Sequence, residues 1–138
     1  MIEGVDIHKA GGIIIRDRCV LVERSKGKEF FIAPGGSLED GETAEQALVR
    51  ELREEFRIAV EEDDLEYFDN FKAAAAGQED KVVRMDMYMV NKWRGEPLPD
   101  NEVEELRWIS SKTLFGLKVG SIMLHDVIPL LVEMGLID

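Results

Sequence analysis

The sequence predicts an α/β layered domain of the α+β kind, with strands around one or two helices. Three observations carry this. Met85, Met87 and Met89 alternate with Arg84, Asp86 and Tyr88 between Val83 and Val90, the period of a strand with two different faces. Ala44, Ala47, Leu48, Leu52 and Phe56 recur at helical spacing and form one apolar stripe. Pro34-Gly35-Gly36 breaks the chain between an apolar run and that helix, which makes a strand–loop–helix unit. A length of 138 residues suits one domain spanning 1–138.

Residues 7–15 and 19–24 read as strands, and Asp17-Arg18 between them as the link of a hairpin. A third strand, Glu29 to Ala33, runs into the Pro-Gly-Gly breaker, and residues 37–42 read as loop. Thr43 starts the helix, with Gln46 three residues later completing a capping box. Strands follow at 65–76, 81–93 and 105–109. The Met triplet in the second of these reads as core packing. Residues 121–135 look helical, with Pro129 either kinking that helix or sitting in its first turn.

Twenty-nine acidic residues against 17 basic ones give a net charge of −12. That balance excludes a nucleic-acid polymer as partner, because such binding rests on phosphate neutralisation by Lys and Arg. A small phosphorylated ligand remains open, and would need divalent cations to approach so acidic a chain. The one cysteine, Cys19, points to a reducing compartment and reads as a small core residue. The apolar run Val127–Val132 contains Pro129 and falls far short of the roughly 20 residues that span a bilayer. No membrane is implied, and a cytoplasmic location is expected.

Glu51, Glu54 and Glu55 crowd one side of the helix, within an arc of roughly 100°. Arg50 precedes Glu54 by one turn and can pair with it. The cluster edges onto the apolar stripe near Leu48, where a solvated face would point away. Hard cations relieve such repulsion, and Mg²⁺ takes a few carboxylates, waters and substrate phosphate oxygens. Helical geometry alone leaves two readings level: a metal site, and a surface helix laced with ion pairs.

The spacing from Gly36 to Ile58 separates them. Gly36, Glu42, Arg50-Glu51-Leu52, Glu54-Glu55 and Ile58 resemble the Nudix box, G-x₅-E-x₇-R-E-U-x-E-E-x-G-U with U apolar. Ala33-Pro34-Gly35 before it, and Trp93-Arg94-Gly95-Glu96-Pro97 and Glu105-Leu106-Arg107-Trp108-Ile109 after it, extend the resemblance over most of the chain. One position departs: Arg57 stands where the family has glycine, which puts the helix exit in question.

The resemblance implies an α/β/α sandwich around a mixed sheet, and hydrolysis of a nucleoside diphosphate linked to another group. It implies that Glu51, Glu54 and Glu55, with the Gly36 carbonyl, bind Mg²⁺ or Mn²⁺, and that Arg50 orients the glutamates. Glu42 fits better as an anchor for Arg50 than as a metal ligand. Family members take the proton from water on a box glutamate or on one from a downstream loop. Glu102 is the preferred downstream candidate here, also as a metal ligand, with Glu105 next. Arg24 reads either as a phosphate contact or as a surface ion-pair partner. Phe30 and Phe31 are the base-stacking candidates, Phe31 being the choice, and one of them must face the other side of the sheet.

Substrate choice lies outside the box. Where ADP-ribose-cleaving members typically carry proline this chain has Ala74, and where dinucleoside-polyphosphate members carry tyrosine it has Ala74-Ala75-Ala76. Elimination leaves a nucleoside triphosphate pyrophosphohydrolase of the 8-oxo-dGTP type. Hydrolysis of ADP-ribose, a dinucleoside polyphosphate or a nucleotide sugar is the alternative. A non-catalytic nucleotide sensor is a third reading, disfavoured because every charged box residue is present. Family members are often homodimers, and no segment here marks an interface.

Overall fold

A computed structural model describes residues 3–75 and 78–138. The sheet elements are β1 (Ile7–Ile13), β2 (Ile15–Arg16), β3 (Cys19–Ser25), β4 (Gly35–Ser37), β5 (Leu65–Ala75), β6 (Gln78–Val90) and β7 (Val103–Ile109). The helix α1 covers Ala44–Phe56, and a π-helical segment, Ile122–Val127, runs directly into α2, Ile128–Glu133. A mixed four-stranded sheet has the order β4-β1-β6-β5, with β1 and β6 parallel. A three-stranded antiparallel sheet has the order β2-β3-β7.

Helices cover both sides. Ala47, Leu48, Leu52 and Phe56 of α1 pack with Ala10, Ile14, Leu21 and Val90. Met123, Val127, Ile128 and Leu131 from the C-terminal helices pack with Ile13, Met85 and Met87 on the opposite side. This is the α/β/α arrangement that the resemblance implies. The Met residues of β6 serve as core: Met85 and Met87 are buried, and Met89 packs against the same cluster.

The local signals work as the physics requires. Asp17 and Arg18 both have positive φ, 52° and 60°, the geometry of a tight hairpin turn whose twist matches its strands. At the start of α1, Thr43 Oγ1 accepts from the Gln46 N–H at 3.1 Å and Gln46 Oε1 accepts from the Thr43 N–H at 3.0 Å. The Tyr88 hydroxyl donates to Glu45 at 2.7 Å and pins the first turn of α1 to the sheet.

Other boundaries differ from expectation. The run 7–15 divides at Ile14, whose carbonyl accepts from Leu21 and hands the chain from one sheet to the other. Residues 29–33 form no strand: Phe31 bridges Val119 and Ile32 bridges Glu23 singly. The strand forms from the breaker itself, at Gly35–Ser37, antiparallel to β1 with Gly36 opposite Ala10. Gly35 makes it feasible. At φ 145° it lies so close to β1 that a Cβ there would collide with the Ala10 carbonyl oxygen. Strand β6 starts and stops earlier than 81–93; beyond Val90 the ladder ends because the Asp64 N–H turns back to the Glu61 carbonyl instead of pairing with Asn91. The last position of the expected strand 65–76 lies outside the described residues. Pro129 sits in the first turn of α2. It has no N–H and crowds the carbonyl one turn back, and the wider π turn ahead of it takes up that misfit.

Candidate active site

The sheet–loop–helix unit brings the backbone at Gly36 under the side of α1 that carries Glu51. A Cβ built on Gly36 would lie 2.5 Å from the Glu51 carboxyl carbon, so only glycine lets the two meet. Glu51 is half-buried there, and that burial raises its pKa above the usual carboxylate range, against the pull of Arg50.

Arg50 organises the cluster. Its Nε and Nη2 donate to the two oxygens of Glu42 at 2.7 and 2.9 Å. Its Nη1 donates to Glu51 at 2.9 Å, and Nη2 reaches the Ser37 carbonyl at 3.2 Å. Glu54 Oε2 lies 3.5 Å from Nη1. Glu42 also accepts from the Glu39 N–H at 2.8 Å. The hydrogen bonds from Arg50 and Glu39 hold the Glu42 carboxyl down at about 2. Glu42 therefore anchors the loop through Arg50, as expected.

At the far end of α1, Glu55 Oε2 accepts from the Glu102 N–H at 3.0 Å, which sets the exposed Glu102 beside the cluster. Glu105 is elsewhere: its carboxylate takes Arg107 at 2.7 Å and Arg24 at 3.2 Å. Arg24 also donates to Glu104 at 2.8 Å, so in this structure it is an ion-pair partner. Phe31 is buried in the core, with the Arg24 and Arg107 guanidinium groups 6.0 and 5.7 Å from its ring. Phe30 is the one of the pair that faces open space.

That space is a cavity of about 450 Å³, lined by Ile7, Lys9, Phe30, Met85 and Met123 among others. Its link to the acidic cluster is Lys9, which lines the cavity and acts on the Glu23 carboxyl together with Glu51 and Glu55.

Sequence reasoning missed Glu23. It is 3% exposed, faces Ser25 Oγ at 3.4 Å, and its pKa is pushed up to about 7. Burial is the main cause; Lys9 and Ser25 pull it down, while the charges of Glu55 and Glu51 add to the rise. Only half of the signal lay in the sequence: Glu23 follows Leu21 by two in β3 and so shares its face, but that this face is buried under α1 is a tertiary fact.

A family model of the NUDIX domain matches residues 8–126. The chain belongs to the Nudix family. An 8-oxo-dGTP diphosphatase of Haemophilus influenzae is 34% identical over 113 residues, 78% of this chain and 79% of that protein. An 8-oxo-dGTP diphosphatase of Escherichia coli is 39% identical over 94 residues, 68% of this chain and 67% of that protein. Among solved structures, one from a study of MutT from Aliivibrio salmonicida and Vibrio cholerae superposes with a TM-score of 0.72 at 26% identity. It covers 93% of this chain and 98% of that one.

This Nudix hydrolase has the donors that its family's divalent cations require. They are hard carboxylate oxygens on one side of α1, facing a glycine backbone. As the side chains stand, no three acids converge among the described residues. Arg50 draws Glu51 to one side, the Glu102 N–H draws Glu55 to the other, and Glu54 is exposed.

Proposed function

We propose that this chain is a nucleoside triphosphate pyrophosphohydrolase acting on oxidised purines of the 8-oxo-dGTP type, with Mg²⁺ (or Mn²⁺) as cofactor. The observation that carries the reading is Glu51 packed on Gly36 with Arg50 braced by Glu42, beside a cavity large enough for a nucleobase. The relatives that are 8-oxo-dGTP diphosphatases support the substrate class.

In this reading Glu51, Glu54, Glu55 and the Gly36 carbonyl hold the cation, with Glu102 completing the set. Bound there, it would offset the polyphosphate charge and lower the pKa of attacking water. Arg50 keeps Glu51 in place while Glu42 keeps Arg50 in place. Water attacks a phosphorus, the bridging P–O bond breaks, and a nucleoside monophosphate and pyrophosphate leave. Glu102 takes the proton from the attacking water, since its backbone rests on the Glu55 carboxylate and the residue is exposed, while Glu105 is occupied by Arg24 and Arg107. No covalent intermediate is needed.

The base enters the cavity against Phe30, Ile7 and Met85. Lys9 is a donor-only group. It complements the carbonyl oxygens of an 8-oxoguanine ring and offers nothing to the amino group of adenine. A cytoplasmic setting fits the single free Cys19.

The test is a nucleotide panel with Mg²⁺, followed by pyrophosphate release and repeated on Glu55→Gln. Turnover of 8-oxo-dGTP that disappears in the variant supports the reading. Turnover unchanged by Glu55→Gln contradicts it.

A further inference from the structure

We propose that Arg57, standing where the family motif has glycine, is a positioning residue that holds the Asp100–Glu102 loop, and with it Glu102, against the catalytic end of α1. This rests on the role given to the acidic cluster above.

Arg57 has φ 57°, a left-handed conformation that glycine adopts freely and a side chain strains. Nothing in the helix exit itself calls for arginine. The backbone N–H of Arg57 and that of Ile58 close the helix on the Leu52 carbonyl, a bond glycine makes equally well. What glycine lacks is the guanidinium, whose Nε donates to Asp100 Oδ2 at 2.8 Å.

From Asp100 the loop is fastened bond by bond to the last turn of α1. The Asp100 N–H donates to the Glu55 carbonyl at 3.0 Å, and Asn101 Nδ2 donates to the Glu54 carbonyl at 2.7 Å. The Glu102 N–H then reaches the Glu55 carboxylate itself at 3.0 Å. The free carbonyls of a helix end thus become the seat of the loop. Asp100 accepts from two sides, from Arg57 and from the Asn101 N–H at 2.8 Å, and so starts the turn, with Asn101 at φ 50°, that delivers Glu102. The ion pair is exposed and adds little to global stability. Its effect is local: it sets how often Glu102 sits beside Glu55.

Arg57→Gly separates the two roles, because it removes the guanidinium and the backbone strain together. The expected result is a melting temperature no lower than wild type, with Glu102 amide hydrogen exchange faster by roughly tenfold. Calorimetric Mn²⁺ binding to the free protein weakens by roughly tenfold. Asp100→Asn, which keeps the acceptor for Asn101 but drops the charge, produces the same two changes, and the double variant is no worse than either single one. Unchanged exchange and Mn²⁺ affinity in Arg57→Gly, or additive losses in the double variant, overturn the proposal. Should the glycine variant not fold, Asp100→Asn alone decides. Glu55→Gln run in parallel keeps the two failures apart. If it retains turnover, the reading of the cluster falls; if it loses turnover while Arg57→Gly changes nothing, only the role of Arg57 falls.

Discussion

Arg50 is gripped by both oxygens of Glu42, at 2.7 and 2.9 Å, and reaches Glu51 with the nitrogen that remains. A planar fork held on two sides has one orientation, so the position of Glu51 is inherited from Glu42, which lies eight residues from Arg50. Glu42→Gln keeps the shape and loses the bidentate charge pair. Turnover at pH 7 is expected to fall roughly 10- to 100-fold, the range for groups that orient a metal's ligands. The melting temperature should hardly move. Initial rates alongside thermal melts check this, and a variant as active as wild type would show that Arg50 needs no anchor.

Glu51 and Glu55 differ in what their neutralisation does to the fold. Glu51 sits on Gly36 with a raised pKa, and Glu55 accepts from the Glu102 N–H. Glu51→Gln and Glu55→Gln should each lower turnover by more than about 100-fold. Without divalent cation, Glu51→Gln should be the more stable of the two, because it removes a half-buried charge. Denaturant titrations in chelator, compared with rates in Mg²⁺, separate the effects.

Glu23 makes stability depend on pH in a direction opposite to ordinary acid denaturation. Its folded pKa of about 7 lies above the model-peptide value of 4.5, so the native state keeps a proton that the unfolded chain has lost. The stabilisation is complete below pH 4.5 and is lost as pH rises through 7. Glu23→Gln does not titrate. Its stability relative to wild type in chelator should therefore grow from near zero at pH 4.5 to about 3 kcal/mol at pH 8. Urea unfolding at four pH values measures the difference, and a flat one would mean that Glu23 is not desolvated in solution.

Most of the helix and its acids were legible because each signal is local. The stripe from Ala44 to Phe56 and the Thr43–Gln46 box lie within one element, and their geometry follows from the helical repeat alone. Strand β4 was not legible, since Gly35-Gly36-Ser37 has no strand propensity and pairs only because β1 offers its edge. Alternation says only that Phe30 and Phe31 face opposite ways; which of them is buried depends on the packing around Phe31, so the choice of Phe31 was not legible. Glu23 needed knowledge of which face of β3 lies under α1, and that is a tertiary fact.

Leu52 tests the packing that carries the acids. It is wholly buried between Glu51 and the Glu54–Glu55 pair, in the cluster formed with Leu48, Phe56 and Leu21. Leu52→Ala should destabilise the fold by about 2–5 kcal/mol through lost contacts and a cavity. In the population that remains folded, kcat should be nearly unchanged, because the helix keeps its cap and its ion pairs. Urea unfolding with activity measured well below the transition distinguishes this from a direct catalytic role.

Lys9 decides whether the cavity reads the base or the phosphates. It lines the cavity and also acts on the buried Glu23, which feels the charges of Glu51 and Glu55, so its ammonium stands between the cavity and the acidic cluster. A donor reading a carbonyl oxygen discriminates among bases; a cation on a phosphate does not. A hydrogen bond from a charged group is worth about 1.5–3 kcal/mol, which is roughly 10- to 100-fold in preference. Lys9→Met should therefore lower kcat/KM for 8-oxo-dGTP and dGTP by that factor while leaving dATP nearly untouched. An equal loss across all nucleotides would transfer Lys9 to the polyphosphate and leave base selection to Phe30 and the apolar wall.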